Sequence, residues 1–139
     1  MNTVFIIIGA LILALAVFYL FAKSKMKNVP VVEDSENILT LTDKNFQHQT
    51  KNRTVLVDFW AGWCVPCRMM APVLNNLAEE LNGNAFVGKI DVEQYQGLAN
   101  KFKIRNIPTM VLFKNGKEVE RFVGIKTKDF LIKQIQKVA

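Results

Sequence analysis

Hydrophobic residues are distributed unevenly along the chain, and the longest apolar run stands at its beginning. Residues 4–22 hold no charged side chain and consist almost wholly of Ile, Leu, Val, Ala and Phe. As a helix that rises about 1.5 Å per residue, this run spans roughly 28 Å, close to the thickness of the hydrocarbon core of a bilayer. It has no polar face, which disfavours a helix on the core of a water-soluble domain. The pattern predicts a transmembrane anchor over residues 1–22.

A cleaved signal peptide is the competing interpretation of this segment. Such a leader places basic residues ahead of a shorter apolar stretch, whereas the residues before Val4 carry no charged side chain. Residues 14–16 (Ala-Leu-Ala) fit a small-x-small cleavage pattern, but cleavage there leaves an apolar stretch at the new N-terminus. We therefore favour the anchor.

The residues that follow the apolar run change character abruptly. Lys23, Lys25 and Lys27 come first, and the positive-inside rule therefore predicts a cytoplasmic location for the rest of the chain. A periplasmic or extracellular location is the alternative. Residues 23–36 show no periodicity and contain Pro30, which predicts a partly extended juxtamembrane linker.

From residue 37 to the end of the chain, strand-like and helix-like blocks alternate. The predicted strands are short apolar runs at 38–41, 55–60, 85–90, 109–113 and 118–123. Helical periodicity or capping residues predict helices from Asp43, over 64–82, over 94–101 and from Thr127. Asn115-Gly116 is a strong hairpin signal between the last two strands. This order predicts an α/β domain over residues 37–139, a mixed central sheet with helices on both faces.

Composition and charge narrow the classes of function. The net charge is +6, but residues 32–139 carry 15 basic and 12 acidic side chains, so charge alone does not indicate nucleic-acid binding. Two cysteines and one histidine cannot complete a four-ligand structural zinc site within one chain. They are also too few for a multi-disulfide secreted scaffold. We expect neither a nucleic-acid partner nor a metal site.

The candidate chemistry lies in Trp63-Cys64-Val65-Pro66-Cys67, between an apolar strand and the longest predicted helix of the domain. At a helix start, Cys64 and Cys67 lie one turn apart and within reach of disulfide geometry. The unpaired amides and the dipole of the first turn favour a thiolate, and cysteines in this setting commonly have a pKa of about 3.5–7.5. Cys64 is therefore expected to attack and Cys67 to resolve. Half of a zinc knuckle has the same spacing, but the absence of a second pair favours redox chemistry.

The sequence around this motif resembles the active-site segment of thioredoxins. The resemblance covers residues 57–67 and continues in family order through Ala71-Pro72, 88–91, 107–109, 113–116 and Val123-Gly124. It implies a thioredoxin fold and dithiol–disulfide oxidoreductase activity on protein disulfides. It also implies reduction by an NADPH-dependent thioredoxin reductase. No bound cofactor is implied, since the Cys64–Cys67 disulfide is itself the redox-active group.

One departure from the family concerns the residues between the cysteines. The usual pair is glycine-proline, whereas this chain has Val65-Pro66. Residues at these positions tune thiol acidity and therefore the reduction potential, so the potential of the family does not carry over. The pair also differs from the proline-histidine of strong oxidases and the glycine-histidine of isomerases, which favours a reductase.

The resemblance also assigns residues around the two sulfurs. Asp58 stands in an apolar strand, where burial should raise its pKa and keep it partly protonated. The family pattern makes it the proton acceptor for Cys67, with Lys89 as its neighbour. Ile107-Pro108 matches the cis-proline of the family. An apolar docking surface for substrate is expected at Trp63, Ile107, Pro108 and Gly124.

These expectations combine into a membrane-tethered reductase of protein disulfides on the cytoplasmic face. Within the same class, the alternative is an exported domain that relays electrons from a membrane reductase to envelope proteins. A different class is a docking scaffold that binds a partner through the thioredoxin surface without turnover.

Overall fold

The computed structural model describes residues 2–27 and 29–139, which form two compact units. One unit ends at Pro30, and the other runs from Val31 to Ala139. Met1 and Asn28, which the predicted anchor and linker include, lie outside the described residues.

The first unit contains a single helix, α1 (Asn2–Lys27), of 26 residues. By length and composition its segment Thr3–Lys25 can cross a membrane. The large apolar side chains along this segment, from Val4 to Phe21, are exposed. These properties agree with the predicted anchor, and a signal sequence would share them.

The second unit is built on a five-stranded sheet with helices on both faces. The strands are β1 (Ile38–Thr40), β2 (Thr54–Trp60), β3 (Phe86–Asp91), β4 (Thr109–Lys114) and β5 (Lys117–Val123). The helices are α2 (Phe46–Thr50), α3 (Val65–Leu81), α4 (Gln96–Lys101) and α5 (Lys128–Val138). The sheet order is β1-β3-β2-β4-β5, with β1, β3 and β2 parallel and the remaining pairs antiparallel. The expected mixed sheet is confirmed.

The central position of β2 explains its apolar sequence. Residues 55–59 are all buried, because helices cover both faces of the sheet. Leu56 belongs to the core that α3 and α5 complete, whereas Val57 and Phe59 belong to the core beneath α2 and α4. Since side chains alternate along a strand, Asp58 lies on the same face as Leu56, towards α3.

The helix α3 follows its predicted bounds closely. Its periodic apolar residues form a buried stripe at Met70, Leu74, Leu77 and Leu81. The helix continues through Pro72 and ends at Leu81, and its C-cap residue Asn82 adopts the left-handed conformation with a φ of 42°. This terminus is the one that Asn82-Gly83 predicts.

The helix α2 begins later than the sequence analysis predicts. Its first residue is Phe46 rather than Asp43. Thr42 and Asn45 instead bond each other: the Thr42 amide donates to Asn45 Oδ1 at 2.7 Å, and the Asn45 amide donates to Thr42 Oγ1 at 3.2 Å. These side chains satisfy the amides in a turn, so the helix starts only after it.

The hairpin between β4 and β5 forms where it was predicted. Asn115 and Gly116 have φ values of 53° and 79°. Positive φ at both central residues is the requirement of a type I′ turn, which Asn-Gly meets at little cost.

Residues 31–35 are bound to the surface of the second unit by hydrogen bonds and an ion pair. The Ser35 amide donates to Asn75 Oδ1 at 2.9 Å, and Asn75 Nδ2 donates to the Glu33 carbonyl at 2.8 Å. Asp34, between them, forms an ion pair with Lys89. This part of the predicted linker therefore packs on the α/β domain, while the boundary at residue 37 stays a prediction.

Candidate active site

The two cysteines are joined as a disulfide at the N-terminus of α3. The Cys64 amide donates to the Ala61 carbonyl at 3.1 Å, which turns the chain out of β2 and towards the helix. Cys64 is the N-cap residue, and its sulfur accepts a hydrogen bond from the Cys67 amide at 3.2 Å. The Cα atoms of the pair are 5.3 Å apart. The amide that reaches Cys64 Sγ would also stabilise a thiolate there after reduction.

Both sulfur-bearing residues are buried in this oxidised state. Cys64 and Cys67 are each 3% exposed and pack with Ala61, against Trp60, Val92 and Ile107. In the disulfide form Cys64, the expected nucleophile, is therefore as buried as Cys67. Trp63, which precedes Cys64, is by contrast 66% exposed.

Val65 and Pro66 occupy the first turn of α3. Val65 is half-buried and Pro66 exposed. A proline is tolerated here because the amides of the first turn have no partner within the helix.

Asp58 is buried at the centre of the sheet without a hydrogen-bond partner. Its side chain is 1% exposed, and neither carboxyl oxygen has a partner among the described residues. Its pKa is raised from 3.8 to about 7, and burial is the largest cause. The positive charge of Lys89 lowers the pKa, and the negative charge of Asp34 adds a smaller increase. Near neutral pH the carboxyl can therefore both hold and accept a proton.

Lys89 is the register partner of Asp58 on the adjacent strand β3. Its ammonium donates to Asp34 Oδ1 at 2.6 Å and lies 4.2 Å from the centre of the Trp60 ring. A cleft of about 210 Å³, called here the Lys89 cleft, is lined by residues 31–34, Trp60, Cys67, Arg68, Ala71 and Lys89. The ammonium therefore lies at the cleft that reaches the second cysteine.

Of the four predicted docking residues, Trp63 and Ile107 are direct neighbours of the cysteines, and Pro108 and Gly124 are connected to Ile107. The Ile107–Pro108 bond is cis, as the resemblance implies, and Ile107 packs on the cysteine cluster. The Gly124 amide donates to the Pro108 carbonyl at 2.9 Å. Trp63 immediately precedes Cys64. Whether these residues bind substrate stays a prediction.

The structure adds two acidic residues that the sequence analysis does not assign. Glu93 accepts a hydrogen bond from the Trp63 indole Nε1 at 3.0 Å, which holds the exposed ring beside the disulfide. Asp34 binds Lys89. Neither contact has a sequence signal, since the partners lie 30 and 55 residues apart in the chain.

The arrangement supports sulfur chemistry. Among residues 2–27 and 29–139, no three His, Cys, Asp or Glu side chains cluster so that they could hold a metal ion. A Cys-x-x-Cys disulfide at a helix N-terminus, in a domain that also holds a buried carboxyl of raised pKa, defines a dithiol–disulfide oxidoreductase.

Comparisons with known proteins specify the family. The protein-family profile described as Thioredoxin matches residues 37–137. The thioredoxin of Staphylococcus saprophyticus is 43% identical over 100 residues, which cover 72% of this chain and 96% of that one. The thioredoxin of Chlorobaculum thiosulfatiphilum is 44% identical over 96 residues, 68% of this chain and 89% of that one. A solved mutant thioredoxin from Halobacterium salinarum superimposes with a TM-score of 0.68 at 37% identity, covering 76% of this chain and 94% of that one.

The chain therefore belongs to the thioredoxin family, and its α/β domain has the thioredoxin fold. It is a thiol–disulfide oxidoreductase that acts on protein disulfides through the Cys64/Cys67 pair. Its partners are disulfide-containing proteins and the reductases that regenerate the dithiol.

Proposed function

We propose that this chain is a membrane-anchored thioredoxin that reduces protein disulfides at the cytoplasmic face. The observation that carries the reductase assignment is the Cys64–Cys67 disulfide at the start of α3. In this proposal residues 4–22 span the bilayer once, residues 23–36 link the span to the domain, and residues 37–139 form the catalytic domain. The exposed apolar side chains of α1 support the anchor.

The reaction begins with Cys64 as the nucleophile. Its thiolate attacks one sulfur of the substrate disulfide, so a bond forms between Cys64 and the substrate while the substrate disulfide breaks. The electron pair of the broken bond leaves on the second substrate sulfur, which is released as a thiolate. The product of this step is a mixed disulfide.

Cys67 resolves the mixed disulfide. Its thiol passes a proton to Asp58, and the resulting thiolate attacks the sulfur of Cys64. The bond to the substrate breaks, the substrate leaves with both sulfurs reduced, and Cys64 and Cys67 end as the disulfide. Two electrons have moved from the dithiol to the substrate.

Asp58 suits the role of proton acceptor because burial places its pKa at about 7. A general base is most effective when its pKa lies near the working pH. Lys89 supports this role as the neighbouring positive charge on β3.

Trp63, Ile107, Pro108 and Gly124 would dock the substrate segment. The first presents an exposed indole, and Ile107 packs on the cysteine cluster. An extended peptide can add main-chain hydrogen bonds at such a surface. Val65 and Pro66, in the first turn of α3, would tune the acidity of the thiols.

The dithiol is regenerated, in this proposal, by a thioredoxin reductase that draws on NADPH. No resident cofactor is required, since thiolate exchange accounts for every electron. If the domain faces outwards, a membrane reductase would supply the electrons and envelope proteins would be the substrates.

Reduction of insulin by the full chain in detergent tests the enzymatic assignment. Turnover with dithiothreitol or a reductase system should be lost in Cys64→Ser and Cys67→Ser, with the fold of each variant checked by circular dichroism. Full biological activity of both variants in cells would favour the docking scaffold instead.

A reporter that is active only in the cytoplasm, fused at the C-terminus, tests sidedness. We expect an active reporter. A silent reporter, with a periplasmic reporter active in its place, would move the domain to the outer face. The intact mass of the membrane-bound protein distinguishes the anchor from a cleaved signal peptide.

A further inference from the structure

The segment that precedes the family-matched residues contributes a side chain to the active site. The family profile begins at residue 37, whereas Asp34 lies before it and forms an ion pair with Lys89, at 2.6 Å from Nζ. Lys89 is only 8% exposed, so this contact lies in a partly desolvated environment. Such an ion pair is worth more than one between two fully exposed side chains.

The position of Asp34 is held from both sides. Asn75, in α3, donates from Nδ2 to the Glu33 carbonyl at 2.8 Å and accepts from the Ser35 amide through Oδ1 at 2.9 Å. One side chain of the catalytic helix therefore clamps the residues that flank Asp34. The placement of the carboxylate is a built feature of the domain surface.

Of the two aspartates that act on Lys89, Asp34 and Asp58, only Asp34 accepts a hydrogen bond from its ammonium. It is the register partner of Asp58, but its ammonium donates to Asp34, and both oxygens of Asp58 lack a hydrogen-bond partner among the described residues. We propose that Asp34 is a positioning residue for the redox centre: its carboxylate holds the Lys89 ammonium in the Lys89 cleft and keeps it from hydrogen-bonding Asp58.

The directions in which Lys89 and Asp34 shift the pKa of Asp58 agree with this proposal. Lys89 lowers the pKa of Asp58, and Asp34 raises it. Glu33 and Arg68 are the other charged residues that line the cleft. Without Asp34, the Lys89 charge acts on Asp58 with no carboxylate to oppose it, so Asp58 would lose its proton at a lower pH.

The effect of Asp34 on turnover rests on the proposed role of Asp58 as proton acceptor. The effect of Asp34 on the titration of Asp58 does not. The contact itself is tested by titrating the side-chain carboxyl of Asp58 by carbon NMR, in the oxidised full-length protein in detergent micelles. Asp58→Asn identifies the signal. The same variant, assayed for insulin reduction, reports separately on whether Asp58 takes part in turnover.

Asp34→Asn should lower the titration midpoint of Asp58 by about half a pH unit or more. Asp34→Glu, which restores the charge, should recover most of the shift. Glu36→Gln is the charge control and should leave the midpoint unchanged. Glu36 lies two residues from Asp34, is exposed and lines a different cleft.

Asn75→Ala tests the position of the Asp34 carboxylate separately from its charge. It removes the clamp without altering any charge, and it should lower the midpoint in the same direction by a smaller amount. The exposed neighbour Asn76, changed to Ala, is the matched control and should have no effect. The pH profile of insulin reduction should move with the midpoint in both Asp34→Asn and Asn75→Ala.

Three outcomes would overturn the proposal: an unchanged midpoint in Asp34→Asn, an equal shift in Glu36→Gln, or an unchanged midpoint in Asn75→Ala. The last would leave Asp34 as a nearby charge without a positioning role. If Asp58→Asn has no effect on turnover, the catalytic role of Asp58 is refuted, while the contact between Asp34 and Lys89 still stands.

Discussion

Asp58 and Lys89 are register partners on neighbouring strands, yet they form no hydrogen bond with each other. The lysine bonds Asp34 instead, and the aspartate remains buried among apolar side chains. A carboxyl in this position resists ionisation because burial removes its water and no donor replaces it. Burial therefore raises the pKa of Asp58 from 3.8 to about 7.

The raised pKa of Asp58 should make the free energy of unfolding depend on pH. An unfolded aspartate titrates near 3.8, whereas in the folded protein the pKa is about 7, so between these values the folded state binds the extra proton. The contribution is complete below about pH 4 and is lost as the pH rises through about 7, and it amounts to at most about 4 kcal/mol.

Thermal unfolding of the oxidised protein at pH 5 and pH 8 measures this effect. Asp58→Asn should lose most of the stability difference between the two pH values. Asp43→Asn, which changes an exposed aspartate, should retain it. An equal pH dependence in the wild type and in Asp58→Asn would contradict the raised pKa.

Cys67→Ser should accumulate mixed disulfides with substrate proteins. Cys64 can still attack, but the serine hydroxyl cannot displace the substrate, so the covalent intermediate persists. Non-reducing electrophoresis should show adducts that dithiothreitol releases, and mass spectrometry should locate the bond at Cys64. Cys64→Ser is the control and should form none. A folded Cys67→Ser protein that captures nothing from oxidised substrates would refute the assigned roles.

The two thiols of the reduced protein should differ in reactivity. Cys64 caps α3 and accepts the Cys67 amide, which favours its thiolate, so iodoacetamide at about pH 6 should modify it about tenfold faster or more. Peptide mapping at short times measures the ratio. In denaturant the rates should converge, since the helix N-terminus is lost. Equal rates in the folded protein would be inconsistent with Cys64 as the nucleophile.

Gly88→Ala should destabilise the domain by about 1–3 kcal/mol through overpacking. A Cβ at this position would lie 2.5 Å from Cδ1 of Leu41, which is fully buried and has little room to move. Gly97→Ala is the matched control, since nothing lies within 4 Å of its Cβ and it stands in the helix α4. That variant should be neutral or more stable by up to about 1 kcal/mol. Chemical denaturation of both variants provides the comparison.

Local patterns in the chain were sufficient to predict most of the elements. The stripe at Met70, Leu74, Leu77 and Leu81 predicts α3, and Asn115-Gly116 predicts the hairpin, because periodicity and turn chemistry act over a few residues. The start of α2 was wrong by three residues, since the Thr42–Asn45 turn competes with the helix in a way that composition does not reveal.

The sequence by itself determined the order of strands and helices, the Cys64–Cys67 spacing and the apolar N-terminal run, because each depends on neighbours along the chain. Only the tertiary structure decided that Asp34 binds Lys89, that Glu93 holds Trp63, and that Cys64 is buried in the disulfide form. These features join residues from separate elements. They arise from how the strands and helices pack against one another, which no short stretch of sequence encodes.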